Sequence, residues 1–205
     1  MLLNKFKYEK EDPDEDAFHI IIVCEGEKRE YQYFKFFSGI DSRLKVKVVP
    51  PTDGKTHPTQ IFKLAESSAE MFRETSFDQL WIVVDVDHDT DSVKSLIPKV
   101  EEKGWHFGLS NPCFEVWLYF HQDESIKEVD SILCNDWKKA VSEVFAGGFN
   151  SSKHPTYLKK AIENSKVEYS EVEGLPNEKC TSIHKLGKEI YPLVKDRLDE
   201  YLSKD

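Results

Sequence analysis

Residues 19–37 read HIIIVCEGEKREYQYFKFF, and this stretch decides the fold class. Its first part, residues 20–24, is a short run of apolar, mostly β-branched side chains, which is typical of a strand buried in a parallel sheet. Glu25 ends the run, Gly26 follows it, and the amphipathic segment at residues 28–38 predicts a helix. An acidic corner therefore follows directly on a buried strand; it consists of Glu25, Glu27 and Glu30.

The same alternation of short apolar runs and longer amphipathic segments continues along the chain. The predicted strands are residues 20–24, 44–49, 80–84 and 105–109. The predicted helices are residues 28–38, 59–75, 91–103 and 112–122, followed without further strands by helices at 136–145, 155–165 and 181–202. This order predicts an α/β fold: a mostly parallel four-stranded sheet flanked by helices, with a C-terminal helical extension.

The chain divides by composition into three parts. Residues 1–17 contain the acidic stretch EKEDPDED and too few apolar side chains to bury, so we expect a solvated lead. We expect a catalytic core over residues 18–122. A helical extension packed on that core is expected over residues 123–205.

The composition limits the kinds of partner that the protein can have. The formal net charge is −10, so the surface does not attract nucleic acid in bulk, and a nucleic-acid substrate would need metal ions or a basic partner. The four cysteines form no CxxC pair and no zinc-ligand spacing, which indicates reduced thiols. No apolar stretch approaches the length of a signal-peptide core or a membrane span, so we expect a soluble, cytoplasmic protein without membrane contact.

Carboxylates follow three of the four predicted strands. They are Glu25 after the first strand, Asp85 and Asp87 after the third, and Glu115 shortly after the fourth. In an open α/β sheet, ligands bind in the crevice at the carboxyl ends of the strands. We therefore expect these side chains to form one site.

The segment WIVVDVDHD carries the pair Asp85 and Asp87. In an extended chain alternate side chains point the same way, so both carboxylates can face one point. Hard oxygen ligands of this kind suit Mg²⁺ or Mn²⁺, which combine one or two carboxylates with waters and substrate phosphate. The alternative is a polar strand-to-helix turn in which Asp89 or Thr90 caps the next helix.

The residues around Glu25 and Glu115 leave two further choices open. Gly26 allows a sharp turn or the close approach of a ligand beside Glu25. Glu30 is either a further acidic ligand or a first-turn residue that the helix dipole favours. Asn111 as N-cap predicts that a helix begins at Pro112 and buries Glu115, which is then either hydrogen-bonded in the core or a ligand of the site.

Three motifs in order, VCEGEKREYQYF, WIVVDVDHD and LSNPCFEVWLYFH, resemble the Toprim fold and, within it, the RloB-like proteins. The pattern of that family runs close to CEGxxTE, DxD and SNPxFExW, and the resemblance covers residues 18–122 best. Arg29 departs from the pattern, because the family usually has threonine there. The resemblance implies that Glu25 acts as general acid or base and that Asp85 and Asp87 bind metal. Glu30 and Glu115 match additional acidic positions.

The resemblance implies a nuclease that hydrolyses phosphodiester bonds of DNA or RNA with Mg²⁺ or Mn²⁺. The catalytic residues would be Glu25, Asp85, Asp87 and Glu115, and all four, together with Glu30, would be metal ligands. Candidate contacts to the substrate are Gly26, Lys28, Asn111, Lys153 and Lys185. The resemblance also implies abortive-infection defence against phage beside a partner ATPase.

Two other functions would use the same carboxylate site. A non-catalytic module would bind a nucleotide and Mg²⁺ there, or dock on an ATPase, without cleaving anything. A phosphatase with Asp85 as nucleophile is disfavoured, because Asp89 stands where Thr or Val is expected two residues after Asp87. The sequence also leaves a homo-oligomer open.

Overall fold

The computed structural model describes residues 17–52, 54, 56–72, 77–86, 89–122, 129, 131–167 and 169–203. Within these residues, four strands form one parallel sheet in the order β2-β1-β3-β4. The strands are β1 (Phe18–Cys24), β2 (Leu44–Val49), β3 (Gln79–Asp85) and β4 (His106–Ser110). The predicted fold class, a four-stranded parallel sheet flanked by helices, is confirmed.

Strand β1 is buried on both of its faces, as its continuous apolar run predicts. Ile20, Ile22 and Cys24 belong to the hydrophobic cluster on one side of the sheet, whereas Ile21 and Val23 belong to the cluster on the other side. Successive side chains of a strand point to opposite faces, so a strand covered on both faces must be apolar at every position.

Helices cover both faces of this sheet. On one face lie α2 (Pro58–Met71) and α3 (Thr90–Glu102), whose apolar side chains share a cluster with β1 and β3. The cluster on the other face is completed by α1 (Arg29–Lys35), α4 (Glu115–Tyr119), α5 (Cys134–Val144), α6 (Leu158–Val167) and α7 (Ile183–Leu202). A short 3-10 helix, His154–Tyr157, leads into α6.

The predicted start of the fourth helix is wrong. Helix α4 begins at Glu115, not at Pro112, and Asn111 does not cap it. The Asn111 side-chain amide instead donates to the Pro176 carbonyl at 3.0 Å, and its backbone N–H donates to the Cys180 carbonyl at 2.9 Å. The Asn111–Pro112 peptide bond is cis. Contacts from a distant part of the chain therefore replace the local cap.

A small antiparallel hairpin was not predicted. Its strands are β5 (Glu171–Val172) and β6 (Leu175–Pro176), with Gly174 between them at a φ of 81°. Glycine adopts this left-handed conformation without strain. Two-residue strands are too short for an alternating pattern to reveal them. The hairpin matters because it supplies the Pro176 carbonyl that binds Asn111 at the end of β4.

Several predicted features lie outside the described residues: the acidic lead up to residue 16, Asp87, and residues 123–128 and 130 of the extension. In the part that is described, side chains from the predicted core and from the predicted extension share one hydrophobic cluster, for example Phe34 with Leu158 and Leu186. The domain boundaries stay a prediction. No helix in the described ranges is both long enough and apolar enough to span a membrane.

Candidate metal and active site

The carboxyl ends of β1, β3 and β4 lie at one edge of the sheet because these strands are parallel neighbours. In the register, Cys24 lies opposite Val83, and Asp85 lies opposite Ser110. One residue beyond β1, the Glu25 backbone N–H donates to the Val83 carbonyl at 2.9 Å, and Glu25 Oε2 accepts from the Asp85 N–H at 2.9 Å. The first carboxylate of the predicted site is therefore held against the end of β3 by its main chain and its side chain.

Glu30 enters the same edge from the first turn of α1, where only 9% of it is exposed. Its carboxylate lies over the α-carbon of Gly26, so a methyl group at position 26 would overlap the Glu30 oxygens. Gly26 therefore leaves the space that the Glu30 carboxylate occupies. The sequence predicted a sharp turn or the close approach of a ligand at Gly26, and the group that approaches it is a side chain of the protein itself.

The buried carboxyl group of Glu30 is in an unfavourable electrostatic position. Burial raises its pKa first of all, and the like charge of Glu115 raises it further, although a backbone hydrogen bond and the positive charges of Arg29 and Lys138 act against both effects. Lys138 lies on α5, far along the chain from Glu30. No local pattern in the sequence marks it as a neighbour of the site.

Glu115 is the first residue of α4 and is only 5% exposed. Its Oε1 lies 3.7 Å from Nε of Arg29, whose side chain is 47% exposed. The sequence left open whether Glu115 is satisfied inside the core or belongs to the site. The structure gives it an ion pair with a partly exposed arginine that precedes Glu30 in the chain.

Two buried thiols lie among these carboxylates. The pKa of Cys113 is raised above its ordinary value by burial, by a hydrogen bond with Cys134, and by the charges of Glu115 and Asp85. The pKa of Cys24 is also raised, first by burial and then by Glu30. Both thiols therefore stay protonated, and neither is an activated nucleophile.

A contact between His57 and Asp89 joins the loops that precede α2 and α3 at this edge. His57 Nε2 lies 2.7 Å from Asp89 Oδ2, while His57 Nδ1 accepts from the Thr59 N–H at 3.3 Å. Asp89 Oδ1 accepts from the Ser92 N–H at 3.0 Å. Asp89 therefore caps α3, which confirms the capping alternative for this residue. No pattern near His57 predicts this contact, because the loop that contains it meets α3 only in the folded chain.

The other predicted site residues lie in different surroundings. Asp87 is outside the described residues. Lys28 is exposed just before α1, and Lys153 is exposed just before the 3-10 helix. Lys185 Nζ lies 2.8 Å from Glu171 Oε2 and 5.2 Å from the centre of the Tyr169 ring. Gly26 lies beside the Glu30 carboxylate, and Asn111 follows the end of β4.

The side chains at this edge fit a hard cation in their chemistry. They offer carboxylate oxygens, and a cation would offset the repulsion between Glu30 and Glu115. Among the residues that the structure describes, however, no group of three His, Cys, Asp or Glu side chains is arranged to hold a metal ion. Glu25 is held at the end of β3, and the charge of Glu115 acts on Glu30. The Mg²⁺ or Mn²⁺ site stays a prediction.

Comparison with known proteins identifies the family. The chain matches the family model described as RloB-like protein over residues 20–190. It therefore belongs to the RloB-like family, and the resemblance seen in its three motifs is confirmed. No curated protein matches the chain, and no solved structure matches it.

Proposed function

We propose that this RloB-like protein is a nuclease that uses a divalent cation to hydrolyse phosphodiester bonds of DNA or RNA. One observation supports the proposal: Glu25 follows β1, Asp85 ends β3, and a hydrogen bond from the Asp85 N–H to the Glu25 carboxylate joins them at the carboxyl edge of one parallel sheet. This edge is where open α/β sheets bind their ligands. Carboxylate side chains there suit a cation and the phosphate that it would bind.

The carboxylates have different roles in the proposed reaction. Asp85, together with Asp87, would hold the cation, with Glu30 and Glu115 as further acidic groups. Glu25 would accept the proton of the attacking water, and its hydrogen bond from the Asp85 N–H fixes the orientation that a general base needs. When bound, Mg²⁺ or Mn²⁺ would polarise the phosphate and lower the pKa of the attacking water.

We also propose that the protein works in the cytoplasm, in abortive-infection defence against phage, beside a partner ATPase. The support for the defence role and for the ATPase is membership of the RloB-like family alone, which makes this an analogy. The cysteine pattern, without CxxC pairs, supports a reducing compartment.

The test is cleavage by the purified protein of plasmid DNA, single-stranded DNA and total RNA, in Mg²⁺ or Mn²⁺ and in EDTA. The variants are Glu25→Gln and Asp87→Asn. Glu66→Gln, an exposed change on α2 that removes only an ion pair with Lys103, is the matched control. We expect cleavage that needs the metal, falls by about 100-fold or more in both site variants, and survives in the control.

Two results would contradict the nuclease proposal. The first is equal cleavage by the wild type and both site variants, which would point to a contaminating nuclease. The second is binding of Mn²⁺ without any cleavage, even after the partner ATPase is added. The second result would favour the non-catalytic module.

A further inference from the structure

A large cleft lies beside the end of α1 that is opposite to the acidic edge of the sheet. Glu30 lies in the first turn of this helix, whereas the last turn lines the cleft. The remaining walls come from residues 38–40, from residues 149–152 and from Tyr201 near the end of α7. The cleft has a volume of about 760 Å³. This volume is within the range of roughly 300–1,000 Å³ that is typical of sites for small molecules.

Hydrogen bonds within the protein hold two walls of the cleft in place. The hydroxyl group of Ser38 donates to the Val46 carbonyl on β2 at 2.9 Å. In the facing wall, Asn150 Oδ1 accepts from the Ser152 N–H at 2.8 Å, and the Asn150 N–H donates to His154 Nδ1 at 2.9 Å. The cleft is therefore formed before any ligand enters, so that a ligand would not have to order these loops.

Three aromatic side chains line the cleft. Phe36 and Phe149 are partly buried against the hydrophobic core, and Tyr201 is 53% exposed. The ring centres of Phe36 and Tyr201 are 6.2 Å apart. Aromatic rings that are partly open to solvent offer stacking surfaces to a flat ligand such as a nucleobase, and they do so with little preference for its identity.

The charge of the cleft differs from that of the protein as a whole. The chain has 38 Asp and Glu residues, yet none of them is among the described residues that line the cleft, and Lys35 is the one charged residue there. Within the described ranges no carboxylate pairs with Lys35. The amide group of Gln32 and the hydroxyl groups of Ser151 and Ser152 also line the cleft. These groups suit an anionic ligand that carries further hydrogen-bonding atoms.

We propose that this cleft binds a nucleotide, with the base stacked against the aromatic rings and the phosphate at Lys35. The nucleotide is either free or one unit of a nucleic-acid strand, because both present the same base and the same phosphate. The inference goes beyond the proposed nuclease and does not rest on it, since the cleft and the acidic edge lie at opposite ends of α1.

The test is calorimetric titration of the full-length protein in EDTA, which removes the metal that phosphate binding at the acidic edge would need. The probes are AMP and UMP, with adenosine and inorganic phosphate as partial ligands. A fluorescent single-stranded oligonucleotide is the second arm. We expect AMP and UMP to bind more tightly than either partial ligand if the source is a free nucleotide. Binding of the oligonucleotide alone would identify a strand as the source.

Four variants locate the binding site. We expect the affinity to fall about tenfold in Tyr201→Ala, which loses a stacking surface, and by a similar factor in Lys35→Gln, which loses the contact to the phosphate. Tyr201→Phe keeps the ring and should bind as the wild type does. Lys63→Gln is the matched control for Lys35, because it removes an exposed lysine from α2 on the other face of the sheet. Thermal unfolding of every variant checks that the fold is intact.

The inference is overturned if neither a mononucleotide nor the oligonucleotide binds in EDTA. It is also overturned if Tyr201→Ala or Lys35→Gln, correctly folded, binds as tightly as the wild type. None of these measurements depends on cleavage. A protein that binds nucleotides in this cleft and cleaves no nucleic acid would disprove the nuclease proposal and leave this inference standing.

Discussion

The backbone N–H of Asp85 donates a hydrogen bond of 2.9 Å to Oε2 of Glu25, although 60 positions separate the two residues in the chain. The bond joins the end of β1 to the end of β3. Two of the three motifs that identify the family are therefore parts of one structural unit, and a change in either is expected to affect the other.

Replacing Gly26 by alanine is expected to push the Glu30 carboxylate out of its position, because the two groups would overlap. We expect the affinity for Mn²⁺ to fall about tenfold, as is typical when a group that orients metal ligands is disturbed. Calorimetric titration measures it. The double variant Gly26→Ala with Glu30→Ala should bind no more weakly than Glu30→Ala alone; an additive loss would show that Gly26 acts by another route.

Tyr33→Phe is expected to destabilise the fold. The Tyr33 hydroxyl lies 3.0 Å from His121 Nε2, and His121 Nδ1 lies 3.0 Å from the Trp117 carbonyl, so the buried imidazole uses both nitrogens. Removing the hydroxyl leaves Nε2 without its donor and costs about 1–3 kcal/mol of unfolding free energy. Urea unfolding measures the change. Tyr31→Phe on the same helix should lower the unfolding free energy much less. Equal losses in the two variants would show that the hydrogen bond from Tyr33 to His121 does not stabilise the fold.

His121 should make the protein less stable as the pH falls. Burial lowers the pKa of His121 to about 3, from an ordinary value of 6.5. Between these two values the unfolded chain binds a proton that the folded chain does not bind. Stability is therefore present in full above about pH 6.5 and is lost as the pH falls towards 3, by about 1.4 kcal/mol per pH unit for this one group.

The contribution of His121 is isolated by comparison with His121→Gln, since acidic groups also titrate in this range. The difference in unfolding free energy between the wild type and the variant, measured by urea unfolding at several pH values, should shrink as the pH falls. A difference that stays constant from pH 7 to pH 4 would mean that the imidazole becomes protonated within the fold.

Asp89 has two functions in the structure that two substitutions can separate. Asp89→Asn keeps an oxygen for capping the Ser92 N–H but loses the charge that faces His57. Asp89→Ala loses both. We expect the thermal unfolding temperature to fall in both variants, and to fall further in Asp89→Ala, because the cap of α3 is lost only there. Equal unfolding temperatures for the two variants would show that the cap contributes nothing.

The sheet and its acidic edge were predictable because they depend on local patterns. A strand buried on both faces must be apolar throughout, so β1 and β3 stand out as apolar runs. Parallel strands end at the same edge, so the carboxylates that follow them were expected to be neighbours. Glu25 and Asp85 are joined by a hydrogen bond at that edge. The prediction for Asp87 concerns a residue outside the described part of the chain.

The remaining features of the site depend on contacts between distant segments. The side chain of Asn111 binds the Pro176 carbonyl instead of capping α4, and no property of the residues near Asn111 announces that partner. The effect of Lys138 on Glu30 likewise depends on α5, a helix that is far along the chain from α1. Sequence patterns report how a segment is buried, but they do not report which distant side chain completes a site.

The most direct test of the account is a crystal structure of the wild-type protein soaked in Mn²⁺, with the ion located by its anomalous scattering. We predict an ion at the carboxyl edge of the sheet whose ligands include a carboxylate oxygen of Asp85 at about 2.0–2.2 Å, with the Glu25 carboxylate beside it. An ion bound elsewhere on the chain, or none at this edge in a protein that cleaves nucleic acid, would contradict the account.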